Sequence, residues 1–187
     1  MTRHHQEQMT RKLDKSSPMV ITRAEQSRDE AAIRRVNQLA FDRPEEANLV
    51  DALRGSEAWL SELSLVAEDD SGIVGHALFS VVDLNGGVEL LSLGPMAVVS
   101  DRQRTGVGTA LVMHGLERAR QTTYPLVVVL GHPGYYPRFG FEPARRLGVD
   151  TPYDVPDEAW MVLRLPAYDE KRPRGTVRYP PAWAVCD

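Results

Sequence analysis

The 187-residue sequence is poor in cysteine, in long apolar runs and in net positive charge. Its single cysteine, Cys186, rules out an intramolecular disulfide and a zinc site built from cysteines. The longest uncharged stretch near the middle, residues 90–100, is far shorter than the roughly 18 apolar residues of a membrane span. Lys and Arg number 22 against 26 Asp and Glu, and this formal net charge of −4 argues against a dedicated nucleic-acid binder. We therefore expect a cytoplasmic protein with no membrane or nucleic-acid partner and no metal.

The composition divides the chain into three parts. Residues 1–18 are polar and basic and contain no apolar run, which predicts a disordered N-terminal tail. Residues 19–165 have the mixed patterning of one domain with a sizeable core. Residues 166–187 are rich in proline and arginine, but Tyr179 and Trp183 are apolar enough to dock. We expect this C-terminal extension to pack partly on the domain.

The order of apolar runs and polar turns predicts an α/β (α+β) fold with a mixed, mostly antiparallel sheet flanked by helices. Strand-like runs at 63–67 and 73–82 flank a turn sequence at 69–72, and a further run at 88–99 follows a second turn. These three strands form an antiparallel meander. The other predicted elements are a strand at 19–22, helices at 29–41, 44–53 and 110–121, and a strand at 126–130.

Pro95 interrupts the last strand of this meander. Because proline has no amide hydrogen, it is confined within sheets to edges or to breaks in pairing. We therefore predict a β-bulge at Gly94-Pro95. A bulge leaves neighbouring amides unpaired, which is either an irregularity that the fold tolerates or a set of hydrogen-bond donors for a ligand.

A glycine-containing loop, residues 103–109, leads into the predicted helix at 110–121. Small residues at a helix start let the backbone approach an anion, and the amides of the first turn favour phosphate. A P-loop is excluded because Thr109 and Ala110 follow the last glycine instead of Lys and Ser or Thr. A dinucleotide fingerprint is excluded because bulky Leu111 occupies its third small position. By itself the loop is either an anion site or a turn that packs the helix on the sheet.

The loop resembles the signature of the GNAT superfamily of acyl-CoA-dependent N-acyltransferases: Gln or Arg, two residues, Gly, one residue, Gly or Ala, after a bulged strand. Gln103, Gly106 and Gly108 match this pattern. Tyr136, four residues before Gly140-Phe141, resembles the second motif of the family. Further stretches, at residues 93–98, 131–136 and 175–182, are similar to one bacterial subgroup of predicted N-acetyltransferases.

This resemblance implies the GNAT-like fold, acetyl-CoA as acyl donor and direct transfer of the acetyl group to a primary amine. It implies that the bulged strand binds the thioester carbonyl and the pantetheine arm, and that the loop binds the pyrophosphate. The only catalytic residue it implies is Tyr136, whose phenol would protonate the leaving thiolate; otherwise Tyr136 is a packing aromatic. The implied donor-binding residues are Met96, Ala97, Val98, Gln103, Arg104, Thr105, Gly106, Val107, Gly108 and Thr109.

The general base is left open by the sequence. Members of the family often carry Glu or His on the bulged strand, where this chain has Ser92 and Gly94. The remaining candidates are Glu89 on the same strand, Glu45 or Glu46 on an early helix, and a water relay to solvent. Each of these acids also has an ordinary structural explanation as a strand-end or helix-start residue.

Two alternatives to an enzyme are compatible with the sequence. A non-catalytic acyl-CoA-binding or regulatory domain would keep the cleft without a base. A protein-interaction module would use the C-terminal extension. For an enzyme, the acceptor is a small-molecule or peptide amine, and a homodimer is the common default for such a chain. His76 and His114 are expected to be structural.

Overall fold

The computed structural model describes residues 19–85, 87–171 and 174–186, so the N-terminal tail predicted at 1–18 lies outside the described residues. The α-helices in this part are α1 (Glu30–Phe41), α2 (Glu45–Arg54) and α3 (Val107–Ala119). The strands are β1 (Ile21–Ala24), β2 (Ser64–Asp69), β3 (Gly72–Leu84), β4 (Val88–Val98), β5 (Leu126–Leu130), β6 (Glu142–Pro143), β7 (Val149–Asp150), β8 (Trp160–Arg164) and β9 (Gly175–Arg178).

The main sheet runs in the order β1-β2-β3-β4-β5-β8-β6. Its neighbours along this path are antiparallel except β4 and β5, which are parallel. In the C-terminal extension, β9 pairs with the end of β3 at Asp83 and Leu84, beyond Leu78, where the pairing of β2 ends. β9 also pairs with β7 in parallel. The predicted mixed and mostly antiparallel sheet is confirmed.

Helices cover both faces of the sheet, because alternate residues of each strand point to opposite sides. Leu65 and Ala67 of β2 pack in the cluster that contains α3, whereas Val66 packs with α1 and α2. α3 approaches the sheet closely because Gly115 has no side chain: a Cβ there would lie 2.1 Å from the ring of Phe79. The C-terminal extension packs on α2, on the second face.

The helix after the glycine loop begins earlier and ends earlier than its predicted bounds of 110–121. It starts at Val107 because Gly106, at φ +97°, turns the chain directly into the helix. Only glycine adopts such a backbone conformation without strain. The consequence is that Gly108 lies within the first turn of α3 and not in the loop before it.

His76 is fully buried in β3 and belongs to a chain of hydrogen bonds. Asn37 Nδ2 lies 3.2 Å from His76 Nδ1, and His76 Nε2 lies 3.0 Å from Ser64 Oγ. Ser64 in turn donates to Glu25, which pairs with Arg54. This order assigns the neutral tautomer with its proton on Nε2, because Nδ1 faces the amide donor of Asn37. His76 is structural, as predicted.

Burial, together with a smaller contribution from the nearby Arg54 guanidinium, lowers the pKa of His76 to about 3. In the unfolded chain the same imidazole titrates at its ordinary pKa, so below pH 6.5 the unfolded state binds a proton that the folded state does not. We therefore expect the free energy of unfolding to fall by up to about 1.4 kcal/mol per pH unit from this group as the pH decreases. Urea unfolding between pH 8 and pH 4 measures this slope.

The matched variants for this measurement are His76→Gln and His132→Gln. His76→Gln should be less stable at pH 8, but its deficit relative to the native protein should shrink toward pH 4 because the titrating group is gone. His132 lies exposed in a loop, so His132→Gln should keep the full slope. Parallel curves for the native protein and His76→Gln would contradict the assignment.

Candidate active site

β4 departs from both of its neighbours near Gly94-Pro95. Toward β3, Leu93 pairs with Phe79 and Met96 pairs with Ala77, so two residues of β4 lie opposite one residue of β3. The predicted bulge is present at this point. Toward β5, the described pairing consists of Leu91 with Val127 and Ser92 with Val128. Beyond Ser92 the two parallel strands separate, and the side of β4 that faced β5 is left open.

One cavity, of about 560 Å³, follows the opened part of β4 to the start of α3. We call it the loop groove. Among the predicted donor-binding residues, Met96, Val98, Gln103, Arg104, Gly106, Gly108 and Thr109 line it. It also contains four residues that the sequence did not single out for this role: Ala40, Phe41, Tyr135 and Arg138. A depression of about 620 Å³ along α3 contains none of the predicted site residues.

Three of the predicted donor-binding residues have side chains that lie elsewhere. Ala97 and Val107 are buried, at 1% and 2% exposure, and Thr105 is exposed and donates from Oγ1 to the Arg102 carbonyl at 2.6 Å. Burial leaves the side chains of Ala97 and Val107 unavailable, so these two residues can contribute only backbone groups to binding. Gln103 anchors the loop, because its Nε2 donates to the Val98 carbonyl at 3.0 Å. This bond explains the use of a long amide side chain at the start of the motif.

The residues of the loop groove fit a phosphate-bearing acyl donor. The first-turn amides of α3 have no partners within the helix and carry the positive end of its dipole. A Cβ at Gly106 would meet nothing within 4 Å, whereas one at Gly108 would lie 3.0 Å from Tyr135 Oη and fill part of the groove. Tyr135 Oη is buried and has no hydrogen-bond partner among the described residues. Arg138 stacks on the Tyr135 ring at 4.5 Å, and Arg104 is exposed on the loop.

A second cavity, of about 400 Å³, lies on the other side of the bulge. We call it the aromatic cavity. Its walls come from α1, α2, the bulge, the end of β5 and the C-terminal extension. Its lining residues are Phe41, Arg43, Glu46, Leu49, Ser92, Leu93, Gly94, Pro95, Met96, Leu130, Tyr136, Tyr153, Tyr179 and Trp183. It shares Phe41 and Met96 with the loop groove, so the two cavities meet just past the bulge.

The adjacent tyrosines Tyr135 and Tyr136 point into different cavities. Tyr135 lines the loop groove, and Tyr136 lines the aromatic cavity. Their rings are perpendicular with centroids 5.1 Å apart. Gly131, at the end of β5, leaves room for the Tyr136 ring, since a Cβ there would lie 2.2 Å from Tyr136 Cε2. Sequence reasoning did not identify Gly131, because this contact depends on how the loop folds back over the strand.

Tyr136 is 7% exposed, and this burial raises its pKa to about 12, with a smaller contribution from Tyr135. A phenol with this pKa is protonated throughout the neutral range. Such a phenol is able to donate a proton but not to act as a base. Its place in the wall near the junction of the two cavities suits protonation of a leaving group at that junction.

The structure separates the three acids named as candidate bases. Glu89 is exposed near the start of β4, where it lies opposite Asp83 in the register of β3 and β4. This position is away from the bulge and outside both cavities. Glu45 and Glu46 occupy the first turn of α2, but it is Glu46 that lines the aromatic cavity. Both carboxylate oxygens of Glu46 accept hydrogen bonds from Arg43. Ser92 lies in the same cavity and is hydrogen-bonded to Tyr179.

Within the described part of the chain, no cluster of three or more His, Cys, Asp or Glu side chains is placed to hold a metal ion. None of the helices in those residues has the length and apolar character needed to cross a membrane.

Comparison with known proteins identifies the family. Residues 61–143 match the acetyltransferase (GNAT) domain. The uncharacterised N-acetyltransferase YjhQ of Escherichia coli K12 is 39% identical over 146 residues, which cover 74% of this chain and 81% of YjhQ. The chain belongs to the GNAT acetyltransferase family. The uncharacterised GNAT N-acetyltransferase YhbS of the same strain is 36% identical over 128 residues, 67% of this chain and 75% of YhbS.

Solved GNAT structures resemble the whole described fold. YhbS from E. coli, in complex with CoA, superimposes with a TM-score of 0.82 at 30% identity, covering 91% of this chain and 95% of that one. A GNAT acetyltransferase from Brucella melitensis, in complex with acetyl-CoA, gives a TM-score of 0.73 at 33% identity, covering 88% and 98%. The predicted GNAT fold and N-acetyltransferase class are confirmed.

Proposed function

We propose that this GNAT enzyme binds acetyl-CoA in the loop groove and transfers its acetyl group directly to a primary amine held in the aromatic cavity. The observation that carries the proposal is the meeting of the two cavities at Phe41 and Met96, just past the bulge. Acetyl-CoA as donor is supported by the two homologous structures that hold CoA and acetyl-CoA. The junction is the place where a thioester and an amine reach one another.

Backbone amides bind most of the donor in this proposal. The first-turn amides of α3 and the loop from Gln103 to Thr109 hold the pyrophosphate, with Arg104 and Arg138 supplying positive charge. The opened side of β4, from Met96 to Val98, pairs with the pantetheine arm as an added strand would. The Met96 amide stabilises the negative charge that develops on the carbonyl oxygen.

Tyr136 acts as the general acid. The amine nitrogen bonds to the carbonyl carbon, the carbon–sulfur bond breaks, and its electron pair goes to sulfur. Tyr136 donates its phenolic proton to that sulfur, and the phenol recovers a proton from solvent. A neutral amine nitrogen loses one proton in becoming an amide, and a protonated amine loses two. Transfer needs no covalent acyl-enzyme intermediate.

Glu46 receives the amine proton, directly or through a water molecule, because it is the candidate acid that lines the aromatic cavity. Its neighbour Glu45 lies in the same helical turn and is a matched control. The role of Glu46 should be largest at neutral pH, where most primary amines are protonated. At high pH the amine is neutral before it binds, so only the second proton remains to be lost, and solvent hydroxide accepts it in place of Glu46.

The first experiment is a thermal-unfolding series with acetyl-CoA, CoA, ATP and NAD, followed by thiol release with a panel of primary amines. At about 100 times the dissociation constant, acetyl-CoA should stabilise the fold by about 2.7 kcal/mol and raise Tm by roughly 5–10 °C, whereas ATP and NAD should not. The Glu46→Gln variant should lose about 10- to 100-fold in kcat/KM at pH 7 and recover as the pH rises, while Glu45→Gln should behave as the native enzyme.

Two outcomes would contradict this proposal. A Tm unchanged by acetyl-CoA, in folded protein freed of bound cofactor, would remove the loop groove as its binding site. A deficit of Glu46→Gln that is the same at every pH would mean that Glu46 supports the fold and accepts no proton. The homodimer expected from the sequence is a separate proposal, tested by light scattering against the monomer mass of 20.9 kDa.

A further inference from the structure

The aromatic cavity is built for an apolar body more than for a charged one. Besides the bulge, its walls include Phe41, Leu49 and Leu93, and Leu130 exposes 44% of its surface beside them. The exposed part of Leu130 is therefore available for contact with an apolar ligand in the cavity. A volume of about 400 Å³ is at the lower end of the range for small-molecule sites.

Three aromatic rings in mutual contact form one wall of the aromatic cavity, and we call them the ring wall: Tyr153, Tyr179 and Trp183. The centroids of Tyr153 and Tyr179 are 5.4 Å apart, and those of Tyr179 and Trp183 are 4.6 Å apart. Such separations are typical of aromatic side chains that support one another. Two of the three rings come from the C-terminal extension, which lies outside the residues that match the family domain.

The ring wall is held in place from both sides. The Tyr179 hydroxyl is hydrogen-bonded to Ser92, at a position where the resemblance led us to look for a base. The Trp183 ring reaches the bulge, because a Cβ at Gly94 would lie 3.5 Å from Cη2 on the benzene edge of the Trp183 indole. Trp183 Nε1 is buried with no hydrogen-bond partner among the described residues, which costs stability and is unexpected for a ring that serves packing alone.

Charge in the aromatic cavity is already balanced. Among its described lining residues, the charged side chains are Arg43 and Glu46, and they pair with one another. An acceptor with several positive charges requires a pocket with unpaired carboxylates. The aromatic cavity has no excess of negative charge among its described lining residues, so it does not favour such an acceptor. An acceptor with a carboxylate finds the guanidinium of Arg43 already bonded to Glu46.

On the basis of the proposed function, we propose that the acceptor is a small arylalkylamine: a primary amine on a short chain attached to an aromatic ring. The ring packs against the ring wall in an edge-to-face or offset arrangement. The short chain passes Leu130 and the bulge, so that the amine reaches the junction beside Met96 and Tyr136. The ring wall is then the element that determines specificity, and it acts on the non-reacting part of the acceptor.

The test compares 2-phenylethylamine, 2-cyclohexylethylamine and spermidine in thiol release with saturating acetyl-CoA. The first two amines have the same carbon skeleton and differ in the flat π face of the ring. We expect kcat/KM for 2-phenylethylamine to exceed that for each of the other two by about tenfold or more. A parallel measurement of Tm with acetyl-CoA shows that the donor site is intact.

Variants of the ring wall show whether it causes the preference. Trp183→Leu should reduce the preference for the phenyl amine to about twofold, whereas Tyr179→Phe, which keeps the ring, should retain most of it. Trp59→Leu is the matched control, because Trp59 packs in the same core cluster as Trp183 but does not line the aromatic cavity. Each variant should keep the Tm increase with acetyl-CoA.

The outcomes separate this proposal from the one on which it rests. Equal or higher kcat/KM for the cyclohexyl amine or for spermidine overturns the arylalkylamine assignment alone. A preference that survives Trp183→Leu, or that falls equally in Trp59→Leu, overturns the role of the ring wall. Absence of thiol release with every amine, despite a Tm increase with acetyl-CoA, overturns the proposed transfer to amines together with the arylalkylamine assignment.

Discussion

Replacing Tyr136 by Phe is expected to lower kcat by about 100-fold or more and to leave the affinity for acetyl-CoA nearly unchanged. The phenylalanine ring keeps the packing against Tyr135 and Phe141, whose centroids lie 5.1 and 5.7 Å from that of Tyr136. It also fits above Gly131 as the native ring does. What is lost is the phenolic proton, which is needed only when the carbon–sulfur bond breaks. Steady-state thiol release and acetyl-CoA titration measure the two quantities separately.

The pH dependence gives a second test of the same group. Because burial raises the pKa of Tyr136 to about 12, the native enzyme should show no loss of rate from this phenol between pH 7 and pH 10. An unperturbed tyrosine with a pKa of 10 would already be half ionised at the upper limit. A kcat profile that falls with an apparent pKa near 10 and loses this limb in Tyr136→Phe would contradict the buried, protonated state.

Tyr135→Phe is the matched control for Tyr136→Phe. It removes a hydroxyl of the same kind from the neighbouring residue, but from the loop groove instead of the aromatic cavity. We expect it to alter acetyl-CoA affinity and to leave kcat within a few-fold of native. If Tyr135→Phe loses kcat and Tyr136→Phe does not, the acid is Tyr135.

The Gly106→Asp variant is expected to weaken acetyl-CoA binding by about 100-fold or more, because it places a carboxylate beside the anion site at the start of α3. The fold should persist. A Cβ at position 106 meets nothing within 4 Å, and an acid at a helix N-terminus interacts favourably with the dipole. The left-handed backbone at φ +97° costs a side chain about 1–2 kcal/mol. The measurement is the Tm increase with acetyl-CoA, which should disappear at concentrations that saturate the native protein.

Gly106→Asn isolates the charge from the shape and the backbone strain. Asparagine has nearly the volume of aspartate and is among the residues that adopt left-handed conformations most readily. It should retain most of the acetyl-CoA affinity. Equal losses in the two variants would indicate a steric effect, and normal binding by a folded Gly106→Asp would show that the pyrophosphate lies elsewhere.

Local sequence determined the framework of this site. Pro95 cannot donate to a sheet ladder, and the bulge follows from that covalent property at one position. Gly106 permits a left-handed turn straight into a helix, and the helix start is an anion site by geometry alone. The motif from Tyr136 to Gly140-Phe141 is also recognisable from the sequence, because its residues lie close together along the chain.

Tertiary structure decided how the parts of the site come together. The separation of β4 from β5 beyond Ser92 depends on pairing between strands more than 30 residues apart in the chain. Tertiary structure also decided that Glu46, and not Glu89, lines the aromatic cavity, because α2 and β4 meet only in the folded domain. Alternation along a strand tells which residues share a face, but it does not tell which distant helix covers that face.

The ring wall shows this limit most clearly. Composition indicated that Tyr179 and Trp183 would dock, because exposed aromatic rings lose favourable burial in water. It did not indicate that they would meet Tyr153 and the bulge. That arrangement arises because β9 pairs with the end of β3, where β2 has ended, and so brings the C-terminal extension back over the sheet. Apolar burial is non-directional, so the sequence alone determined that these rings would be covered, while strand pairing decided which cavity they would line.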